Sequence, residues 1–468
     1  LEYSTLIIIL LLPQGSCFII MRFNVSFWLA SLPPDAPVWE SRRKKEGCRR
    51  SSSGLTFSLL FLVLFLPTIS SAEICLVPSA AYTTIQDAVN AVNCDIIDIA
   101  DGTYPESITV NRQSGSLTLQ GSTGNAATVT ITGGIRASGS GLKLVVKNLS
   151  LTGHSSSENG GGVYAVNLSS VSIESCTIAG NSALLGGGIY ADTVSSVSIE
   201  RSTISGNYAS NNGGGIYAVN ASSGFIKSST ISGNSALNNG GGIAGYGAFS
   251  LSIESCTIYG NSATNGGGIS AFNAQVSMVN SILANGSSTS SQCYNSNSGN
   301  TWDLGNNLVQ DASGSSCSSF FTDSTTLNNN NPMLGPLADN GGPTKTHALL
   351  VSSPAVDAGY CPSPTTDQRG VTRPQCLACD IGSFEYKVDP VSFSNVPSPM
   401  TVRAMTSTAA VVTYTPPTTT SPYTVACVPP SGSTFSLGTT VVTCTADDPC
   451  KSIVTFEVTV LKRTGVCM

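Results

Sequence analysis

Gly186-Gly187-Gly188-Ile189-Tyr190-Ala191 decides the fold, because the chain keeps restating it. It appears as Gly160-Gly161-Gly162-Val163-Tyr164-Ala165 and as Gly213-Gly214-Gly215-Ile216-Tyr217-Ala218, then fades into Gly240–Gly245 and Gly266–Ala271. Successive starts lie 26, 27, 27 and 26 residues apart. A second phrase keeps step: Gly180-Asn181-Ser182-Ala183, Gly206-Asn207-Tyr208-Ala209, Gly233-Asn234-Ser235-Ala236 and Gly260-Asn261-Ser262-Ala263. A fixed period of this size means stacked units, each covering its neighbour's apolar face.

Aligning the repeats yields ladders. Val146, Ile173, Ile199, Ile226, Ile253 and Met278 share one position, and Leu151, Ile178, Ile204, Ile231, Ile258 and Leu283 share another. Between them runs Leu149, Cys176, Ser202, Ser229, Cys256 and Ser281. Alternation of period 2 makes strands, and the odd step between the first two ladders requires a bend. That bend falls at Asn148, Ser175, Arg201, Ser228, Ser255 and Asn280, mostly small polar residues. With the Gly-Gly-Gly-Ile strand, each period holds three strands and three turns. This is one coil of a parallel β-helix. Asn181, Asn207, Asn234 and Asn261 are expected to stack at one corner, joined by amide hydrogen bonds and tolerant of left-handed backbone.

Outward of the coils, Lys147, Glu174, Glu200, Lys227 and Glu254 form a charged row with one like-charge step, Glu174–Glu200. Cys176 and Cys256 lie three coils apart, roughly 14 Å at the usual strand spacing, too far for a disulfide. They are expected to be free buried thiols.

The flanks are read separately. Residues 1–72 form a leader in which Arg42-Arg43-Lys44-Lys45 and Arg49-Arg50 precede an apolar core at 55–66 and the small residues Ser70-Ser71-Ala72. That pattern reads as a secretory signal, with residues before Met21 an over-extended start. The β-helix is expected over 73–330, opened by an amphipathic helix at Thr84–Val92 and a turn at Asp101–Tyr104. A capping region follows at 331–386, then strands rich in Val and Thr over 389–461, read as a small β-sandwich, and a tail at 462–468. No segment of the mature chain is expected to span a membrane.

Thirteen of the fifteen cysteines follow Ala72. In an exported chain most belong in disulfides. Cys427 with Cys444 and Cys293 with Cys317 are the favoured pairs, and Cys450 can pair with Cys467. Cys376-Leu377-Ala378-Cys379, with Cys361 near, has redox or zinc spacing but is read as structural disulfide. No cofactor or metal is implied. Charged residues are 10 % of the chain, the net charge is -6, and no basic stripe follows the leader, which argues against a nucleic-acid partner.

The alternation over 74–330 resembles the repeats of polymorphic outer-membrane proteins and other pectin-lyase-like right-handed β-helices. Residues 331–386, through "GPLADNGGPT", "SPAVDAG", "DQRG" and "CDIGSFEY", resemble the C-terminal region of choice-of-anchor surface proteins. Residues 389–461 resemble a hyalin repeat (HYR) module through "SGSTFSLGTTVVTCTADD" and Cys427. The resemblances imply an all-β chain: a right-handed parallel β-helix followed by an immunoglobulin-like sandwich, secreted or at a cell surface, and engaged in adhesion.

Two functions compete. The first is a non-catalytic binder of an extracellular glycan or surface protein. The second is a polysaccharide lyase or glycoside hydrolase. Hydrolysis needs two carboxylates at a set spacing, and a lyase needs oxygen ligands and a base. Between Gly153 and Gly299 only Glu158, Glu174, Asp192, Glu200 and Glu254 are acidic, and His154 and His347 are far apart in sequence. Binding is preferred. Tyr164, Tyr190 and Tyr217 are expected to point outward on successive coils, as a ligand stripe or, the favoured reading of the two, as ring-on-ring contacts stabilising the sheet. Asp367, Arg369, Asp380 and Glu385 are expected to close the last coil by ion pairs. Asn148, Asn167, Asn220 and Asn285 fit glycosylation acceptors.

Overall fold

The computed structural model describes strands Ser4–Leu11 and Phe18–Val25, and residues 73–462 except 248, 285–290, 297–301, 311–316, 318–319, 362–365, 388–390, 405–407, 420–422 and 449. The first two strands pair antiparallel and belong to a unit of their own. The apolar core at 55–66 lies outside the described residues.

From Ile74 the chain winds into a parallel β-helix with three long faces. Face one runs from Ile74–Val77 to Gln275–Val279, face two from Gly102–Tyr104 to Leu327–Asn328, and face three from Ile108–Asn111 to Cys293–Asn295. Asp101–Tyr104 is therefore not a plain turn, since Gly102–Tyr104 opens face two. In the central coils a short fourth strand stands between faces two and three: Ser182–Leu185, Tyr208–Asn212 and Ser235–Ala236. Three strands per coil is thus an undercount there.

The ladders set the register. Val146 pairs with Ile173, Ile173 with Ile199, Ile199 with Ile226, Ile226 with Ile253 and Ile253 with Met278. All six side chains are buried. The bend residues Asn148, Ser175, Arg201, Ser228, Ser255 and Asn280 all take positive φ, between 43° and 53°. This turns each strand of face one sharply into face two. Beneath the bend, the hydroxyls of Ser202, Ser229 and Ser281 accept from the backbone N–H groups of Cys176, Ser202 and Cys256 at 3.0–3.1 Å. Cys176 and Cys256 are buried and free, and burial pushes both thiols up to about 12.

At the next corner the left-handed residue is Gly180, Gly206, Gly233 or Gly260, with φ of 60–64°. The asparagine that follows needs no unusual backbone, contrary to the expectation. The glycine frees it to turn inward. The Gly-Gly-Gly phrase serves a different corner. Gly186 has φ 63°, while a Cβ on Gly187 or Gly188 would meet backbone carbonyls of the next coil at 2.3 and 2.6 Å.

Both ends are closed, which protects edges that otherwise recruit other chains. At the start, helix Ile85–Asn90 has Thr84 as N-cap in a capping box with Asp87, and a disulfide joins Cys75 to Cys94. That pair was not anticipated. At the far end Trp302 is buried, stacked on Phe320 at 4.8 Å, and Cys293 bonds to Cys317.

Residues 331–386 pack against the last coils, at Leu308 and Leu327, and extend beyond them. They run back along face two and cover it over several coils. The outward threonines Thr203, Thr230 and Thr257 are buried beneath them. Gln368 donates to Thr203 and accepts from Thr230 at 2.9 and 2.7 Å, and Ser383 donates to Thr257 at 3.0 Å. His347 bonds the Gly335 carbonyl through Nδ1 and Ser232 Oγ through Nε2, both at 2.7 Å. The carbonyl requires Nδ1 to carry a proton, and burial lowers the basicity of the ring, outweighing that hydrogen bond. Outward threonines need partners once covered, and this segment supplies them.

The final strands form a small sandwich. Met400–Arg403, Ile453–Leu461, Gly438–Ala446 and Val425–Val428 lie side by side, with short pairs Ala409–Val411/Thr434–Ser436 and Phe393–Ser394/Thr418–Thr419. Its core holds Val412, Tyr414, Phe435, Val442, Phe456 and Val458. Cys427 and Cys444 face each other on adjacent strands and are bonded.

Candidate functional site

With face two covered, face three carries an extended aromatic feature that the repeat writes into three successive coils. Tyr164, Tyr190 and Tyr217 occupy one register position of its strands. Their inward neighbours Val163, Ile189 and Ile216 fill the main core, so period 2 sends the tyrosines to the other side. The rings stack at 5.3 and 5.5 Å with planes 8° and 4° apart.

The stack continues where the repeat fades. Ala244 and Ser270 take the tyrosine position in the next two coils, leaving a gap. Tyr246 and Phe272, two residues further along the same strands, lean back and fill it. Tyr246 lies 5.2 Å from Tyr217 and 4.5 Å from Phe272, and Tyr294 follows at 5.0 Å. At the other end the Arg136 guanidinium sits 4.1 Å from the Tyr164 ring centre and pairs with Glu158. Alignment of the phrase alone missed Tyr246 and Phe272, which stand two positions out of register, and Tyr294, which holds the tyrosine position on Cys293–Asn295 after the phrase has ended.

Exposure differs from the expected open stripe. Tyr190 and Tyr217 are only 7 % and 8 % exposed, in a small apolar cluster with Leu185, Val166 and Val219. Each ring's faces are taken by the rings above and below. What remains outside is ring edges and hydroxyls. The Tyr190 hydroxyl donates to Asp192 at 3.3 Å, and burial first, then Asp192, push its pKa up to about 12. Beside the rings runs a second amide row, in which Asn239 donates to Asn212 at 2.8 Å and Asn265 to Asn239 at 2.9 Å.

The carboxylates candidate for catalysis are mostly occupied. Glu174 pairs with Lys147 at 2.9 Å and with Arg201, so the bend residue Arg201 relieves the like-charge step to Glu200. Burial pushes Glu174 up, but Lys147 and Arg201 outweigh it and hold the carboxyl below its ordinary range. Glu254 pairs with Lys227 at 3.1 Å. Exposed or half-exposed pairs of this kind contribute little stability.

Asp367, Arg369, Asp380 and Glu385 do come together, joined by Arg373, but inside the segment on face two. Arg369 pairs with Asp367 at 2.7 Å and lies over the Phe384 ring at 3.5 Å, and Arg373 pairs with Glu385 at 3.2 Å. The carboxylates accept mainly from backbone: Asp380 from Asp357 and Tyr386, Glu385 from Gln375 and Asp380, Asp367 from Arg369, Val371 and Glu385. This is a knot that folds a loop-rich segment. His154 bonds the Gly161 carbonyl at 2.5 Å, far from such carboxylates in sequence.

The CxxC cysteines part company. Cys379 bonds to Cys361 and Cys376 to Cys450. The second bond replaces the expected Cys450–Cys467 pair, and Cys467 itself lies outside the described residues. Among the described residues no cluster of three or more His, Cys, Asp or Glu side chains could hold a metal ion, and no helix is long and apolar enough to cross a membrane. Asn148, Asn167 and Asn220 all sit at corners with positive φ, half-buried in the first case and exposed in the other two. Asn285 lies outside the described residues.

Residues 79–235 match the family model described as a right handed beta helix region. Comparison with curated proteins and comparison with solved structures each returned no match. Winding, ladders and the match over residues 79–235 together define an all-β chain with a right-handed parallel β-helix, followed by a region of small antiparallel sheets.

Proposed function

We propose that this is a secreted or cell-surface protein that binds an extracellular glycan or surface protein and performs no chemistry on it. The observation that carries the reading is the aromatic ladder from Tyr164 to Tyr294 on a flank left uncovered by residues 331–386. Its contacts are hydroxyls and ring edges, with Asp192 and the Asn212–Asn239–Asn265 row beside them. Such a surface suits an extended partner lying along the helix axis, held by hydrogen bonds and edge packing. Face-on stacking of a sugar is left only to the Tyr294 end of the ladder, because Arg136 lies over the Tyr164 ring. Five disulfides fit an oxidising compartment. The sandwich over 389–461, of HYR type, serves as an adhesion module in the same reading.

Retention of the full chain on a glycan array or a cell surface tests the proposal. Tyr164→Phe/Tyr190→Phe/Tyr217→Phe keeps the stack and removes three hydroxyls. Loss of retention with an unchanged unfolding midpoint is expected. Unchanged retention removes face three from consideration. Polymer cleavage abolished by Glu174→Gln or Glu200→Gln would instead establish the lyase or hydrolase alternative.

A further inference from the structure

We propose that Asn167 and Asn220 are N-glycosylation acceptors, placing two sugar chains along the corner between face three and face one. Both asparagines begin an acceptor triplet, Asn167-Leu168-Ser169 and Asn220-Ala221-Ser222. The fold then distinguishes them from the rest. Each occupies the left-handed corner residue of its coil, with φ 57° and 50°. Each is tied down by its backbone N–H, Asn167 to the Asp192 carbonyl at 3.0 Å and Asn220 to the Tyr246 carbonyl at 3.2 Å. Both residues are exposed, and among the described residues neither side-chain amide has a hydrogen-bond partner.

The corner is convex, so a sugar chain leaves it without crossing either sheet. The two sites are two coils apart, roughly 10 Å at the usual strand spacing. That spacing leaves room for both. Asn148 fits less well: it is half-buried, and Ser150 of its triplet is buried, whereas Ser222 is exposed and Ser169, which donates to the Leu142 carbonyl at 2.8 Å, is half-buried. Asn273 takes the same corner with φ 53° but is followed by Ala274-Gln275, so it is an internal control with the geometry and without the triplet.

The chemistry is transfer to the side-chain amide. Its nitrogen bonds to the anomeric carbon of a lipid-linked oligosaccharide, the bond from that carbon to the lipid pyrophosphate breaks, and the amide proton leaves to a base of the host transferase. The proposal rests on the export reading, because the donor is met only on the secretory route.

The full chain, secreted from a eukaryotic host behind its own leader, is treated with peptide N-glycosidase F in ¹⁸O water and mapped by mass spectrometry. Labelled aspartate at positions 167 and 220, with none at 273, is expected, along with a two-step mobility shift. Ser169→Ala and Ser222→Ala, which keep both asparagines, should each remove one step. Secreted, folded protein with bare Asn167 and Asn220 overturns the proposal, as does label confined to Asn148 or Asn285. If the natural leader fails to export the chain, a heterologous signal replaces it. Label at 167 and 220 then supports the sites while the export reading falls, and bare sites overturn them.

Discussion

The amide of Asn181 donates to the Oδ1 of Asn207 at 3.1 Å, one coil further along, and the same oxygen accepts the Asn181 backbone N–H at 2.9 Å. Asn207 in turn donates to the Ile178 carbonyl and to Asn234, and Asn234 to Ile204 and Asn261, all at 2.9–3.0 Å. Each asparagine is fully buried. The corner therefore satisfies backbone groups that lie out of reach of the β ladder, and does so alike in the coils from Asn181 to Asn261. Such a row strengthens register along the whole helix.

Removing one member should be expensive for that reason. Asn207→Ala leaves the Asn181 N–H, the Asn181 amide and the Ile178 carbonyl without their partner in a dry corner. Each orphaned buried group costs about 1–3 kcal/mol. A loss of about 3–5 kcal/mol in urea denaturation is expected, whereas Asn238→Ala, on an exposed residue whose amide donates to Asn211 at 2.7 Å, should change the midpoint little. Equal effects would mean that the buried amides are not what holds the corner.

Gly224 and Phe249 form a second coupled pair. Face one places Val197 and Leu251 on either side of Gly224 in the core column, and the missing side chain is filled by the Phe249 ring. A Cβ at Gly224 would lie 2.4 Å from that ring. Gly224→Ala should cost about 1–3 kcal/mol as overpacking. Phe249→Leu should cost a similar amount as a cavity, and the double variant should lose less than the two single losses combined. Strict additivity in a double-mutant cycle would sink the pairing.

Asp380 makes the segment on face two sensitive to pH. Burial, then the neighbouring Glu385, push its carboxyl up to about 7. The folded state thus holds this proton more tightly than the unfolded chain, whose carboxyl titrates near its ordinary value. The stabilisation is complete below that ordinary value and disappears as pH rises through about 7. The chain should therefore be more stable at pH 5.5 than at pH 8, by about 1–3 kcal/mol if Asp380 dominates the difference. Asp380→Asn should flatten the profile, read as urea midpoints at the two pH values. A midpoint that rises from pH 5.5 to pH 8 would contradict the assignment.

The solenoid was legible because its repeat is redundant. Six residues at one ladder position, from Val146 to Met278, carry the same message, and no single exception such as Gly224 obscures it. The bends were legible for the same reason, even at Arg201, where a large charged residue takes a conformation that favours small ones. Tyr246 and Phe272 escaped because their contribution depends on side chains leaning across two register positions. The Cys376–Cys450 bond escaped because it joins segments 74 residues apart, which no local pattern brings together.

By itself the sequence determined the coil: the period, the inward ladders, the bends and the spacing that keeps Cys176 from Cys256. These are local and repeated, and a rung can stack only on another rung of the same length. Only the tertiary structure decided which faces stay open. Residues 331–386 carry no repeat, and their placement over Thr203, Thr230 and Thr257 follows from polar partners supplied across some 140 residues of chain. The same holds for Tyr190. Its position in the phrase sent it out of the core, but the rings stacked on either side of it, and Leu185 beside them, decided how little of it meets solvent.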